Sequence, residues 1–200
     1  PAFVLPMRDL EAIAKTGFTD SMPSRKEARV IMRHVVACVR SANLFQGERN
    51  DGVIKSTAES LKASARNLSR IVHSSGLPSQ HFASLGLTKH LPDGTIEQMQ
   101  NLARGEDSPE AELYSKAVNL GKGDVSLKRA EKEFERFYMT LAANWCARDT
   151  EEVSDFKQQL ADLSDYSEDY LRHKIRNLFS MSIRDLFESA KQEQTGGMQG

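Results

Sequence analysis

A chain of 200 residues with 39% hydrophobic side chains and a formal net charge of -1 can bury a core as one domain or as two small helical subdomains. Its aromatic and β-branched content is too low for a sheet-rich fold, and its longest apolar run, Val35–Val39, is far too short to cross a membrane as a helix. Two cysteines, Cys38 and Cys146, exclude a disulfide framework and a cysteine zinc site, and they fit reducing surroundings.

The near-zero net charge hides an asymmetry. Residues 1–90 carry 13 Lys and Arg against 7 Asp and Glu, whereas residues 91–200 carry 14 against 21. A basic half beside an acidic half can bind polyanions, dock head-to-tail with copies of itself, or neutralise itself internally.

Taken in chain order, residues 1–5 read as an extended apolar arm that must be buried on its own domain or on a neighbour. The first six residues, Pro-Ala-Phe-Val-Leu-Pro, lack the basic region and long apolar core of a signal peptide. A short helical face around Leu10, Ile13 and Ala14 follows, closed by Gly17.

Ser24 to Ala42 is the most informative stretch. Wound at about 100° per residue, it places Ala28, Ile31, Met32, Val35, Cys38, Val39 and Ala42 on one arc. Arg25, Lys26, Arg29, Arg33 and Arg40 fall on the other, interrupted by Val36. Ser24 and Glu27 form a capping box at its start. A second long helix is expected over Val53–Ser74, with Ile54, Ala58, Leu61, Ala65, Leu68 and Val72 as its packing seam. Lys55, Lys62, Arg66, Arg70 and His73 share its far face with one acid, Glu59. The intervening loop is short enough to make the two helices antiparallel neighbours, so their basic stripes together would line a cationic groove.

Residues 75–94 form an irregular centre with one short helix expected at Pro78–Leu85. The second half reads as a series of capped helices: Thr95–Arg104, then one opened by Ser108-Pro109-Glu110 and closed by Gly121, then Val125–Arg148, with Leu127, Ala130, Phe134, Phe137, Leu141 and Trp145 on one side and Tyr138 beside them. Val153, Phe156, Leu160 and Leu163 mark another, and Ser167 opens the last, with a kink expected at Ser180–Ser182. The tail from Gln192 to Gly200 has no periodicity and is expected to be loose.

No catalytic, cofactor or metal motif emerges. His73, His81 and His90 are too widely spaced for a metal pair on one helix. Asn119–Asp124 sets glycines beside a lysine but lacks the upstream glycine and the following Ser or Thr of a phosphate-cradling loop; a helix-to-helix turn with Gly121 as a left-handed cap accounts for it. The acids between Glu151 and Asp169 lack the calcium-loop spacing and suit first turns of helices.

The expected fold is therefore all-α: an N-terminal pair of long antiparallel helices and a C-terminal bundle of four to five helices. The basic half 1–90 and the acidic half 91–200 are two subdomains or one continuous domain. The leading functional expectation is a non-enzymatic, self-assembling protein of the coat or nucleocapsid type, in the cytoplasm or within a virion. It would bind RNA phosphates through Arg25, Lys26, Arg29, Arg33, Arg40, Lys55, Lys62, Arg66, Arg70 and His73. Homo-oligomers would form through the arm and the oppositely charged halves. The alternative is a helical interaction module, an adaptor or secreted effector domain, whose same cations meet an acidic protein surface. An enzyme is the third reading, and no cofactor or metal is expected.

Overall fold

The computed structural model describes residues 18–45, 52–74 and 108–196. Among them every regular element is an α-helix, and there are eight: α1 Arg25–Phe45, α2 Val53–Ser60, α3 Ala65–Ser74, α4 Pro109–Lys122, α5 Leu127–Arg148, α6 Val153–Ser164, α7 Glu168–Phe179 and α8 Ile183–Gly196. The all-α class is as expected. The arm at residues 1–5 and the helices expected at Pro78–Leu85 and Thr95–Arg104 lie outside the described residues.

The described helices fall into two compact units, one of residues up to Ser21 with Glu27–Phe134, the other of Met22–Lys26 with Glu135 onward. The units do not coincide with the oppositely charged halves of the sequence. Among the described residues the first holds 12 basic against 8 acidic residues and the second 10 against 12.

In the first unit α1 is the central rod. From His34 to Ser41 every residue is buried, whichever way it points. α4 packs closely on it at Gly121: a β-carbon there would lie 2.7 Å from Cβ of Val39. Gly121 is thus a close-approach glycine inside α4, and the expected left-handed cap is not there; the helix continues to Lys122 and is capped by Gly123 at φ -72°. The start of α4 follows its sequence signal, with Ser108 Oγ accepting from the Ala111 N–H at 3.2 Å and Pro109 in the first turn. The buried Glu110 carboxylate accepts from the backbone N–H and the hydroxyl of Thr19.

The single long helix expected over Val53–Ser74 is two helices. α2 ends in a left-handed residue, Lys62 at φ 50°, with Lys62 N–H donating to Glu59 O and Ala63 N–H to Ala58 O. This is the paired 6→1 and 5→2 closure of a helix terminus. Ser64 then caps α3 by accepting from Asn67 N–H at 3.1 Å. Leu61 and Leu68 stay fully buried across the break, which is why the packing seam read as continuous. Leu127 N–H, at the start of α5, donates to Leu61 O at 2.8 Å.

In the second unit α6 contacts both α7 and α8, and Phe156 meets Phe187 with ring centroids 5.0 Å apart. Tyr138, buried on α5, shares its one hydroxyl proton between the carbonyls of Pro23 and Leu163, each 3.1 Å from its oxygen. The buried line of α5 in this unit runs Tyr138, Met139, Ala142, Ala143, Cys146 and Ala147. Phe137, Leu141 and Trp145, expected on the buried face, are only partly covered; the alanines let backbones approach and take the interior instead.

The expected kink at Ser180–Ser182 is a full break: Ser180 is left-handed at φ 58°, and Ser182 and Asp185 cap α8 reciprocally, at 2.9 Å and 3.2 Å. α8 also continues into the expected loose tail, where Glu193 accepts from Asn144 and Gln194 donates to Asn144 O, both at 2.8 Å.

Candidate nucleic-acid interface

The ten residues expected to face a polyanion divide sharply by helix. The five on α1 all have partners within the chain, although Lys26 and Arg29 remain exposed. Arg25 donates Nε–H to Ser164 O at 2.7 Å and lays its guanidinium 4.3 Å from the Tyr166 ring centroid. Lys26 pairs with Asp165 at 2.5 Å, and that hydrogen bond and charge hold the Asp165 carboxyl below its ordinary range. Arg33 bonds Glu131 at 2.5 Å, with Arg29 3.8 Å from the same oxygen.

Arg40 is the extreme case, with only 4% of its surface exposed. Its Nε donates to Gly121 O at 2.9 Å, one Nη to Ser60 Oγ at 3.0 Å and Ser60 O at 3.3 Å, and the other to Val125 O at 3.2 Å and to Gly123 O. Apart from the Ser60 hydroxyl, these acceptors are the orphan carbonyls at the ends of α2 and α4 and in the α4–α5 turn. A cation at helix C-termini also meets the negative end of each dipole. Burial lowers the guanidinium pKa, and Asp124 opposes that shift.

Burial rises along this face of α1: Arg29 is exposed, Arg33 half-buried, Val36 and Arg40 buried. Val36 was the legible signal. With Ala37 it completes five consecutive apolar residues, a pattern of burial on every side and not of one wet face. The acceptors themselves, Glu131 and the α4 carbonyls, lie some 80 to 100 residues away along the chain and carry no local sequence signal.

The second set, expected as one face of a single helix, is split by the break, with Lys55 on α2, Lys62 in the corner and Arg66 and Arg70 on α3. Lys55, Lys62, Arg66 and Arg70 are all exposed, and none has an ion-pair partner among the described residues. Arg66 and Arg70 stand one above the other on α3, four residues apart, and Lys62 projects from the corner before it. Glu59 is the one acid on α2. The His73 side chain lies outside the described residues. The described parts of α2 and α3 carry no aromatic residue, so the surface holds charge without a stacking platform.

Other chemistry-bearing groups are spent structurally. Burial pushes both thiols, Cys38 and Cys146, up to about 12, with Asp149 adding to the shift at Cys146. A polar cluster in the second unit centres on Glu135, which accepts from Tyr166 Oη at 2.6 Å and from Lys174 Nζ at 2.8 Å. Burial and the neighbouring Glu135 carboxylate hold the Tyr166 phenol well above its usual value, so it stays protonated at neutral pH. Among the described residues no group of three or more His, Cys, Asp or Glu could hold a metal ion, and no helix is long and apolar enough to cross a membrane.

The chain matches no protein-family model, no curated protein and no solved structure.

Proposed function

We propose that this chain is a non-enzymatic, self-assembling nucleic-acid-binding protein of the coat or nucleocapsid type, which holds RNA phosphates on the row Lys55, Lys62, Arg66 and Arg70. The α1 cations serve the fold in this reading. One observation carries it: of two sets of basic residues, the α1 set is partnered within the chain throughout, whereas Lys55, Lys62, Arg66 and Arg70 stand exposed without an ion-pair partner among the described residues. The conformation of Lys62 adds support. A left-handed φ of 50° costs a residue with a β-carbon about 1 kcal/mol that glycine would avoid, so the lysine is kept at a local cost. The lack of aromatics on α2 and α3 suits contact with backbone phosphates over reading of single bases.

The test is binding of a single-stranded RNA across a salt series. Four phosphate contacts at about 0.7 each give a slope of log affinity against log salt near -3. R66Q/R70Q should halve that slope and R33Q should leave it unchanged. Absence of RNA binding, a slope near zero, or equal affinity of R66Q/R70Q and wild type would overturn the proposal. The same bare charge also suits an acidic protein surface. A chain that ignores RNA but captures one acidic protein partner through Arg66 and Arg70 would establish that second reading.

A further inference from the structure

The second unit carries a counterpart to the basic row. From Asp149 to Asp169 the sequence holds eight acids and one base, Lys157. Phe156, Leu160, Ala161 and Ser164 form the buried side of α6. The outward side carries Asp155, Gln158, Gln159 and Asp162, all exposed, with Glu151 and Glu152 exposed just ahead of the helix. Lys157 lies off that face and is paired with Glu168. Glu151, Asp155 and Asp162 have no ion-pair partner among the described residues.

Helix polarity accounts for only part of this. Glu151, Glu152 and Asp155 sit at the positive N-terminal end of α6, where acids are favoured. Asp162 does not: it lies in the last turn, which has no basic residue, against the negative end of the same dipole. An exposed carboxylate placed there is disfavoured by its own helix and gains most from a cation supplied from outside.

We infer that the acidic face of α6, centred on Asp155 and Asp162, docks on the Lys62, Arg66 and Arg70 row of a second copy of this chain. Both faces are exposed, opposite in sign and without ion-pair partners among the described residues for Lys62, Arg66, Arg70, Asp155 and Asp162. Guanidinium groups bind carboxylates by paired, parallel hydrogen bonds, and the amides of Gln158 and Gln159 supply further donors and acceptors. Such a contact joins different surfaces of the two copies, so it is heterologous and leaves each copy with one face still open. The inference rests on the reading that this row is the chain's outward cationic surface. It adds a regulatory consequence: carboxylates of a neighbour and phosphates of RNA compete for the same cations.

Light scattering on the whole chain tests it, using two neutralised variants, K62Q/R66Q/R70Q and E151Q/D155N/D162N. Wild type should gain mass with concentration in about 0.01 M salt and return to monomer in about 1 M, as the Debye length shrinks from about 30 to about 3 Å. Each variant alone should stay monomeric at low salt. An equimolar mixture should give a species of twice the monomer mass and nothing larger, because only one complementary pair of faces remains.

Wild type that is monomeric at low salt, variants that associate like wild type, or a mixture that recovers no dimer would each overturn the inference. RNA binding measured on the same samples separates the two proposals. Wild type that self-associates as described yet ignores RNA removes the phosphate reading alone. RNA binding by a chain that stays monomeric at low salt removes this one alone.

Discussion

α1 and the α2–α3 pair begin from the same chemistry, a helical stripe of Lys and Arg opposite an apolar seam, and end in opposite environments. On α1 the guanidinium of Arg40 is enclosed by carbonyls of two helix ends, and Arg33 is tied to Glu131 at 2.5 Å. On α2 and α3 the cations project into solvent. A basic stripe thus states only that positive charge must be compensated. Whether a carbonyl, a carboxylate, water or a ligand does so is decided by what the rest of the chain brings alongside.

The largest effect that sharpens this contrast is expected at Arg40. R40A leaves several buried carbonyls without donors and should cost about 3–5 kcal/mol in urea unfolding. R70A should change stability by less than about 0.5 kcal/mol. Equal costs for the two would break the comparison.

Acid should attack the α1 side next. Burial holds His34 down to about 4 in the folded chain, against an ordinary value of 6.5. The unfolded chain therefore binds the extra proton first as pH falls. Stability from this group is complete above pH 6.5 and is lost progressively down to pH 4, by about 3 kcal/mol in all. H34Q should flatten that part of the pH–stability curve; an unchanged slope would show that His34 is not enclosed as described.

A smaller cost is expected where α1 and α4 touch. G121A puts a methyl group 2.7 Å from Val39 Cβ and should destabilise by about 1–3 kcal/mol.

The smallest stability effect carries the sharpest discrimination. K62G relieves a left-handed lysine and should be between neutral and about 1 kcal/mol more stable than wild type, while binding RNA more weakly with a salt slope shallower by about 0.7. Loss of both stability and affinity would show that Lys62 serves the corner of the fold and not its ligand.

Much of the architecture was legible because it is written locally. The Ser108-Pro109 start, the Ser167 cap and the apolar spacing of α6 each depend on residues within two turns of one another. Breaks were less legible. The core leucines Leu61 and Leu68 keep their period across the Lys62–Ser64 corner, so periodicity alone ran α2 into α3. The buried face of α5 was read from its largest side chains, whereas Ala142, Ala143 and Ala147 occupy the interior because their size lets helices approach. Of the candidate site, the identity of the cations was legible but their availability was not, except for the warning that Val36 and Ala37 gave on the charged arc.

By itself, then, the sequence determined that this chain is helical, where most of its helices start, and that its first 90 residues carry a net positive charge because few acids accompany their cations. Helix formation and capping are short-range, and such signals survive without knowledge of neighbours. Only the tertiary structure decided which of those charges remain in solvent, because the groups that compensate α1 come from Glu131 and from the helix ends at Ser60 and Gly121–Val125. Packing alone brings those groups, distant along the chain, up against the α1 cations.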